Sequence, residues 1–164
     1  MARVPDPVTP PGVGPIPALI SPIRSKVRCW GSLESETAML KDLNVAGVLP
    51  ASDIARARDF YRDKLGLEPD NPEATDNLMY KCANGTAFLL YETPNAGTAK
   101  NTQLGFQSTD LDQDMADLRE RGVVFEEYDF PGLKTENGVA TLPDGERGAW
   151  FLDSEGNILS IATM

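Results

Sequence analysis

The chain has no histidine among its 164 residues. Histidine is the side chain whose unperturbed charge change falls near neutral pH, and it is the commonest metal ligand. Its absence excludes Ser-His-Asp and Cys-His nucleophilic schemes. Histidine-held zinc is excluded with them. Cysteine is scarce too. Cys29 and Cys82 stand far apart and form no CxxC or other metal-binding spacing, so a reduced, cytoplasmic protein is the expectation. No run approaches the roughly 18 consecutive apolar residues of a membrane-spanning helix. Prolines break the stretch PGVGPIPALI near the N-terminus, which therefore does not read as a signal peptide. Positive charge is also in deficit. The net charge is −10 and the isoelectric point about 4.4. Binding nucleic acid needs a basic patch against phosphate, so no nucleic-acid partner is expected. Acidity would suit a cationic ligand, although solubility alone accounts for it.

What remains is an ordinary globular composition. Hydrophobic residues make up 41% of the chain, enough for a core, and the length suits one domain with a tail. Residues 1–41 read as a Pro-rich, irregular N-terminal extension, and 42–164 as the domain. Pro5, Pro7, Pro10, Pro11, Pro15, Pro17 and Pro22 crowd the first 38 residues. They remove backbone donors and push their predecessors toward extended states. Three readings of this stretch stay open: a disordered tail, a segment packed through Ile16, Leu19, Ile20, Ile23 and Trp30, or a natural start at Met39. It is assigned no function.

From residue 44 onward one series runs twice. The first unit opens with a strand over 44–49. A helix follows, begun at Ser52 or Asp53, both good N-caps. Ile54, Ala57, Phe60, Tyr61 and Leu65 carry its apolar period, and Gly66 stops it. Strands are expected near 67–69, 77–82 and 86–92. Asn84-Gly85 reads as a tight type I′ hairpin turn. The second unit opens with a strand over 102–108. Thr109 to Asp112 resembles a capping box with aspartate in place of Glu or Gln. Leu111, Met115 and Leu118 line one helix face, and Gly122 ends the helix. Strands are expected near 123–129, 148–152 and 157–162. Asp53 and Asp110 hold equivalent places 57 positions apart. Each unit is thus β-α-β-β-β, two half-domains that each cover a sheet with one helix.

The helix ASDIARARDFYRDKLGL and the closing segment GAWFLDSEGNILSI are the signature. The first is similar to the pattern SDxxxxxxFYxxxLGL of the vicinal oxygen chelate superfamily. That group holds glyoxalases, bleomycin-resistance proteins, fosfomycin-resistance enzymes and extradiol dioxygenases. The second resembles its F-x-D-P-x-G-N turn, here Phe151, Asp153, Ser154, Gly156 and Asn157, with serine in place of proline. The resemblance covers about residues 42–163. It implies an α+β fold: two tandem β-α-β-β-β modules forming a glyoxalase-like incomplete barrel, preceded by the irregular tail. It does not choose an activity, because one fold hosts many.

The resemblance also places the metal-ligand positions. In metal-using relatives the ligands sit seven residues before the helix-start aspartate and four after the turn glycine. Those positions are Ala46, Leu89, Gln103 and Ser160 in this chain. Alanine and leucine offer no donor, and divalent ions need charged or imidazole donors to offset dehydration. No metal and no cofactor are therefore expected. Glu92 lies near Leu89, but strand alternation puts it on the opposite face, barring a one-residue slip.

The same alternation yields a cavity-facing set: Asn44, Ala46 and Val48; Ala87, Leu89 and Tyr91; Gln103, Gly105 and Gln107; Ile158, Ser160 and Ala162. Val45, Leu49, Phe88, Leu90, Leu104, Phe106, Leu159 and Ile161 fall on the other face, beneath the helices. Asn44, Ala46, Leu89, Tyr91, Gln103, Gln107, Trp150 and Ser160 are the candidate ligand-binding residues, an apolar wall with neutral hydrogen-bonding groups. No catalytic residue is assigned, since Tyr91 is the only titratable group among them. Trp150 could instead fill the core. Residues 130–147 read as a long binding loop or a surface excursion, with a short strand at 138–142. Lys134 and Arg147 could meet an anion or be solvated surface charge. Arg56, Arg58, Arg62 and Lys64, with Asp59 and Asp63, read as a solvated, partly paired helix face.

Three functions are weighed. The first is a metal-free small-molecule binder of the glyoxalase/bleomycin-resistance type. The resemblance implies a homodimer for it. The second is a metal-dependent lyase, isomerase or dioxygenase with atypical ligands such as Gln103 and Glu92. The third is a protein-interaction module with a vestigial pocket.

Overall fold

The computed structural model describes residue 40 and residues 43–163. The expectations for the Pro-rich extension lie outside the described residues. The described elements run β1 (Ala46–Ala51), α1 (Ile54–Leu65), β2 (Asn77–Lys81), β3 (Ala87–Glu92), β4 (Thr102–Ser108), α2 (Leu111–Glu120), β5 (Asp129–Phe130), β6 (Leu133–Lys134), β7 (Val139–Thr141), β8 (Arg147–Leu152) and β9 (Ile158–Thr163). They form a mixed α+β fold of two sheets and a small hairpin. The first sheet has the order β1-β3-β2, the second β4-β9-β8-β7, and β5-β6 is the hairpin. β1 runs parallel to β3, and β4 parallel to β9, so each module repeats one plan. Among the described strands the sheets do not close into a barrel.

Local chemistry sets the helix ends. Asp53 accepts the Arg56 amide at 3.0 Å and opens α1. Gly66 closes it with φ 68°, the left-handed turn that glycine enters freely. In α2 the cap is Asp110, which accepts the Gln113 amide at 3.2 Å. The box therefore starts one residue later than Thr109, because the aspartate carboxylate reaches the free amides. Asn84 and Gly85 both take positive φ, 56° and 75°, as a type I′ turn requires.

Two expected strands shrink, at equivalent places after each helix. Over 67–69 the donors are already committed. The Leu67 amide donates back to Tyr61 O at 2.9 Å, and Pro69 has none. Further on, the Asn71 side chain takes the Met79 amide at 2.7 Å, where a backbone carbonyl would serve in a strand. Over 123–129 only the Phe125–Phe151 bridge and the Asp129–Lys134 pair at the start of β5 form. The long loop instead carries β5, β6 and β7.

The core lies between helices and sheets and crosses from one module to the other. Leu49, Tyr61, Leu78, Tyr80, Phe88 and Leu90 share one cluster with Val123, Phe151 and Leu159. Leu111, Met115, Ala149 and Ile161 form a second. β1 and β4 meet at the seam. There a Cβ on Gly47 would stand 3.2 Å from Leu104 Cδ1, so glycine lets the two edges approach.

Candidate functional site

Strand register decides which residues share the face turned away from the helices. In the first sheet Ala46 pairs with Ala87 and Val48 with Leu89. Met79 lies opposite Leu89, and Asn77 opposite Tyr91. In the second sheet Gly105 pairs with Ser160 and Gln107 with Ala162, while Trp150 lies opposite Ser160 and Gly148 opposite Ala162. Paired residues share a face. The intervening residues Leu49, Phe88, Leu90, Phe151, Leu159 and Ile161 are the buried ones. The face carrying Ala46, Leu89, Tyr91, Trp150 and Ser160 is therefore the open one. Val48 is 58% exposed on it and Tyr91 40%.

The candidate residues do not all converge. Asn44 is exposed and precedes β1. Gln103 falls in a bulge, because Thr102 pairs with Ile158 and Leu104 with Leu159, leaving Gln103 outside the ladder,. Strict alternation through Gln103 thus fails at that one residue. Its Oε1 is buried without a hydrogen-bond partner. Trp150 lies outside both core clusters. It stands on the open face and donates from Nε1 to Thr102 Oγ1 at 3.0 Å. One cavity lies elsewhere. A cavity of about 460 Å³ opens between the β2–β3 turn and β4, lined by Cys82, Thr86, Phe88, Leu104, Gly105 and Gln107 among others. Of the eight candidates only Gln107 lines it.

Two aromatic residues that the sequence reading left out join Trp150. The Tyr128 ring lies 5.9 Å from Trp150 and 5.6 Å from Phe130, centroid to centroid. A Pro-Gly pair after an aromatic run, Phe130-Pro131-Gly132, marks such a hairpin tip. What the sequence does not mark is its contact with β8.

The strongest polar cluster is at the 153–157 turn. Glu155 Oε2 accepts the Ser52 amide at 2.7 Å, the Ser52 hydroxyl at 2.9 Å and the Asp53 amide at 3.0 Å. Arg56 donates from Nε to Oε1 at 2.9 Å. Arg56 therefore belongs to this cluster and not to a merely solvated helix face. Burial pushes the Glu155 carboxyl up, but the bonds from Arg56, Ser52 and the two amides outweigh it and hold the carboxyl below its ordinary value,. Asp153 accepts Tyr61 OH at 3.0 Å, Asn157 Nδ2 at 2.8 Å and the amides of Glu155 and Asn157 at 2.8 Å. Burial dominates there and raises its pKa. Burial, then the Asp153 charge, raises Tyr61 well above its usual range. Asn157 Nδ2 also donates to Pro50 O at 2.8 Å. A sealed Tyr-Asp pair cannot reach a substrate. These bonds lock the last turn of the second module onto the helix start of the first.

The four positions do not suit a divalent ion. Ala46 and Leu89 carry no donor atom. Glu92 pairs with Ala51, on the other face from Leu89. Among the described residues no group of three or more His, Cys, Asp or Glu side chains is placed to hold a metal. Hard cations need such a set. Arg147 is bound to Asp112, Nη2 to Oδ1 at 2.7 Å, so it is not free for an anion.

Two modules with parallel first and last strands, helices on one face and the other face open define a glyoxalase-type α+β protein. The family model for the Glyoxalase/Bleomycin resistance protein/Dioxygenase superfamily matches residues 43–160. The chain belongs to that superfamily. Its fold is similar to a glyoxalase/bleomycin resistance protein from Catenulispora acidiphila, at 22% identity and TM-score 0.57, over 74% of this chain and 98% of that one. It is also similar to a lactoylglutathione lyase from Agrobacterium tumefaciens, at 18% identity and TM-score 0.56, over 74% and 92%. A third is TnmS3, an antibiotic binding protein from Streptomyces sp. CB03234, at 22% identity and TM-score 0.51, over 77% and 98%. At these identities the likeness is one of fold. No curated protein matches the chain.

Proposed function

We propose that this protein binds a small organic molecule on the open face of its sheets without a metal ion. The observation that carries this reading is the side-chain set at the four ligand positions, Ala46, Leu89, Gln103 and Ser160. Two of them have no donor, and none is charged. Around them stand apolar surface and neutral hydrogen-bonding groups, the usual make-up of a ligand site. Val48 and Tyr91 expose apolar area there, which a ligand or a second copy of the chain would cover. A homodimer and a cytoplasmic setting go with this reading. No described helix is long and apolar enough to cross a membrane.

The test is a thermal-shift and equilibrium-dialysis screen of small aromatic and cationic compounds, with and without chelator. The reading predicts hits whose affinity chelator leaves unchanged and which Ser160→Trp weakens. Hits that vanish in chelator would contradict it, as would a complete absence of hits.

A further inference from the structure

We infer that the cleft between the two helices, on the side of the sheets away from the open face, takes a free α-amino acid with an apolar side chain. This second site goes beyond the proposed function and does not depend on it.

The cleft is built from two helix ends. Leu65 and Leu67 flank the Gly66 turn that closes α1. Along α2 and its C-cap, Asp114, Asp117, Leu118 and Arg121 recur at helical spacing, so they share one face,. With Phe106 of β4 and Ile161 of β9 they line a cavity of about 300 Å³. Leu65, Leu67, Phe106 and Leu118 are only half-buried. Packing of the two modules therefore leaves apolar surface in the cleft, which a ligand would take out of water. A cation from each helix reaches over the glycine that ends the other. A Cβ on Gly66 would stand 2.7 Å from Arg121 Nη1, and one on Gly122 2.8 Å from Lys64 Nζ. The two side chains close that end of the cleft.

Charge selects the ligand. The Arg121 guanidinium has no ion-pair partner among the described residues. Asp114 accepts the Ser108 hydroxyl at 2.6 Å, and Asp117 accepts Gln113 Nε2 at 2.8 Å. Both donors are neutral, so neither carboxylate is neutralised by its bond. The rim thus carries both signs above one apolar floor. Asp117 and Arg121 lie about 6 Å apart along the helix axis. An amino acid matches this order, with its ammonium at Asp117, its carboxylate on the Arg121 fork and its side chain among Leu65, Phe106 and Leu118. A peptide end, an alkyl acid or an alkyl amine answers only one of the two charges. The volume is at the lower end for ligand sites, which suits a side chain of leucine's size.

The experiment uses calorimetry and ligand-observed NMR on the full chain. It compares L-leucine with N-acetyl-L-leucine, which lacks the ammonium, and L-leucinamide, which lacks the carboxylate. The inference predicts saturable binding of one L-leucine per chain. Each analogue binds about tenfold more weakly, the worth of one charged hydrogen bond. Arg121→Gln and Asp117→Asn each weaken L-leucine about tenfold as well. Both residues are exposed, and the analogues need no variant, so the test is independent of folding. Ser160→Trp, on the open face, leaves L-leucine affinity unchanged. No L-leucine binding, an analogue that binds as tightly, or affinity indifferent to Arg121 and Asp117 overturns the inference. So does a loss of L-leucine binding in Ser160→Trp, which would move the site to the open face. If screened compounds bind the open face while L-leucine does not bind, the inference fails alone. If L-leucine binds as predicted and the screen gives no hits, the proposed function fails alone.

Discussion

At the 153–157 turn every carboxylate oxygen of Asp153 and Glu155 accepts a hydrogen bond. On the open face and at the β4 bulge beside it the polar groups are less fully used, although Trp150 Nε1 donates to Thr102 Oγ1. Gln103 Oε1 is buried with no partner, Ser160 is half-buried beside bare glycine, and Tyr91 faces solvent. The first region spends its polarity on joining two modules. The second leaves hydrogen-bonding capacity on a surface next to apolar area. In a superfamily that hosts many chemistries, the carboxylate cluster explains why the fold holds, although Asn157 Oδ1 within it is buried without a partner, and the open face is where a ligand has something to gain.

The sharpest way to break this comparison is Glu155→Ala. The carboxylate side chain is fully buried, while Arg56 is 51% exposed. Its loss strands the Ser52 and Asp53 amides just ahead of α1. The expected cost is about 3 kcal/mol, toward the lower end for a broken buried pair because Arg56 can turn to water. Urea unfolding at neutral pH measures it. The pH dependence sharpens the assignment. A carboxyl held below its ordinary value, 4.5 for glutamate, adds stability that is complete above that value. The stability is lost as pH falls through the folded value. Asp153, raised by burial, works in the opposite sense. The difference between the wild type and Glu155→Gln isolates Glu155. That difference is full at pH 7 and closes in acid. A difference that does not vary with pH would deny the ion pair its role.

The smallest expected effect is at the other region. Gln103→Leu removes a buried acceptor that has no donor. Removing such a group is neutral or stabilising, by up to about 1 kcal/mol, when the replacement fills its volume. A loss of more than about 1 kcal/mol would show that Gln103 is as much a part of the architecture as Glu155, and the contrast would dissolve.

The two regions were also unequally legible. Helix ends follow from residues within three or four positions, so Asp53, Gly66 and Gly122 could be placed from local chemistry alone. Strand faces follow from a period of two, and Leu49, Phe88, Leu90, Leu159 and Ile161 fall on the buried side accordingly, whereas Val45, expected there too, precedes β1 and is exposed. The period fails where one residue is added, and the bulge at Gln103 has no mark in the sequence. The strand near 67–69 is lost because the Leu67 amide is committed to Tyr61 O and Pro69 has no donor, and Asn71 beyond it takes the Met79 amide. Glu155 was passed over because its partner Ser52 lies 103 positions away, and nothing short of the folded seam brings them together. Tyr128 and Phe130 were missed for a related reason. Their tie to Trp150 depends on residue 126 taking the edge of β8 left vacant by β7.

The central claim is that the open face works without a metal ion. The direct measurement is elemental analysis of protein purified without chelator, repeated after equilibration with zinc, nickel, manganese and ferrous ions and gel filtration. The account predicts that no ion stays with the chain in stoichiometric amount. One tightly held ion per chain, lost on Gln103→Leu, would contradict it.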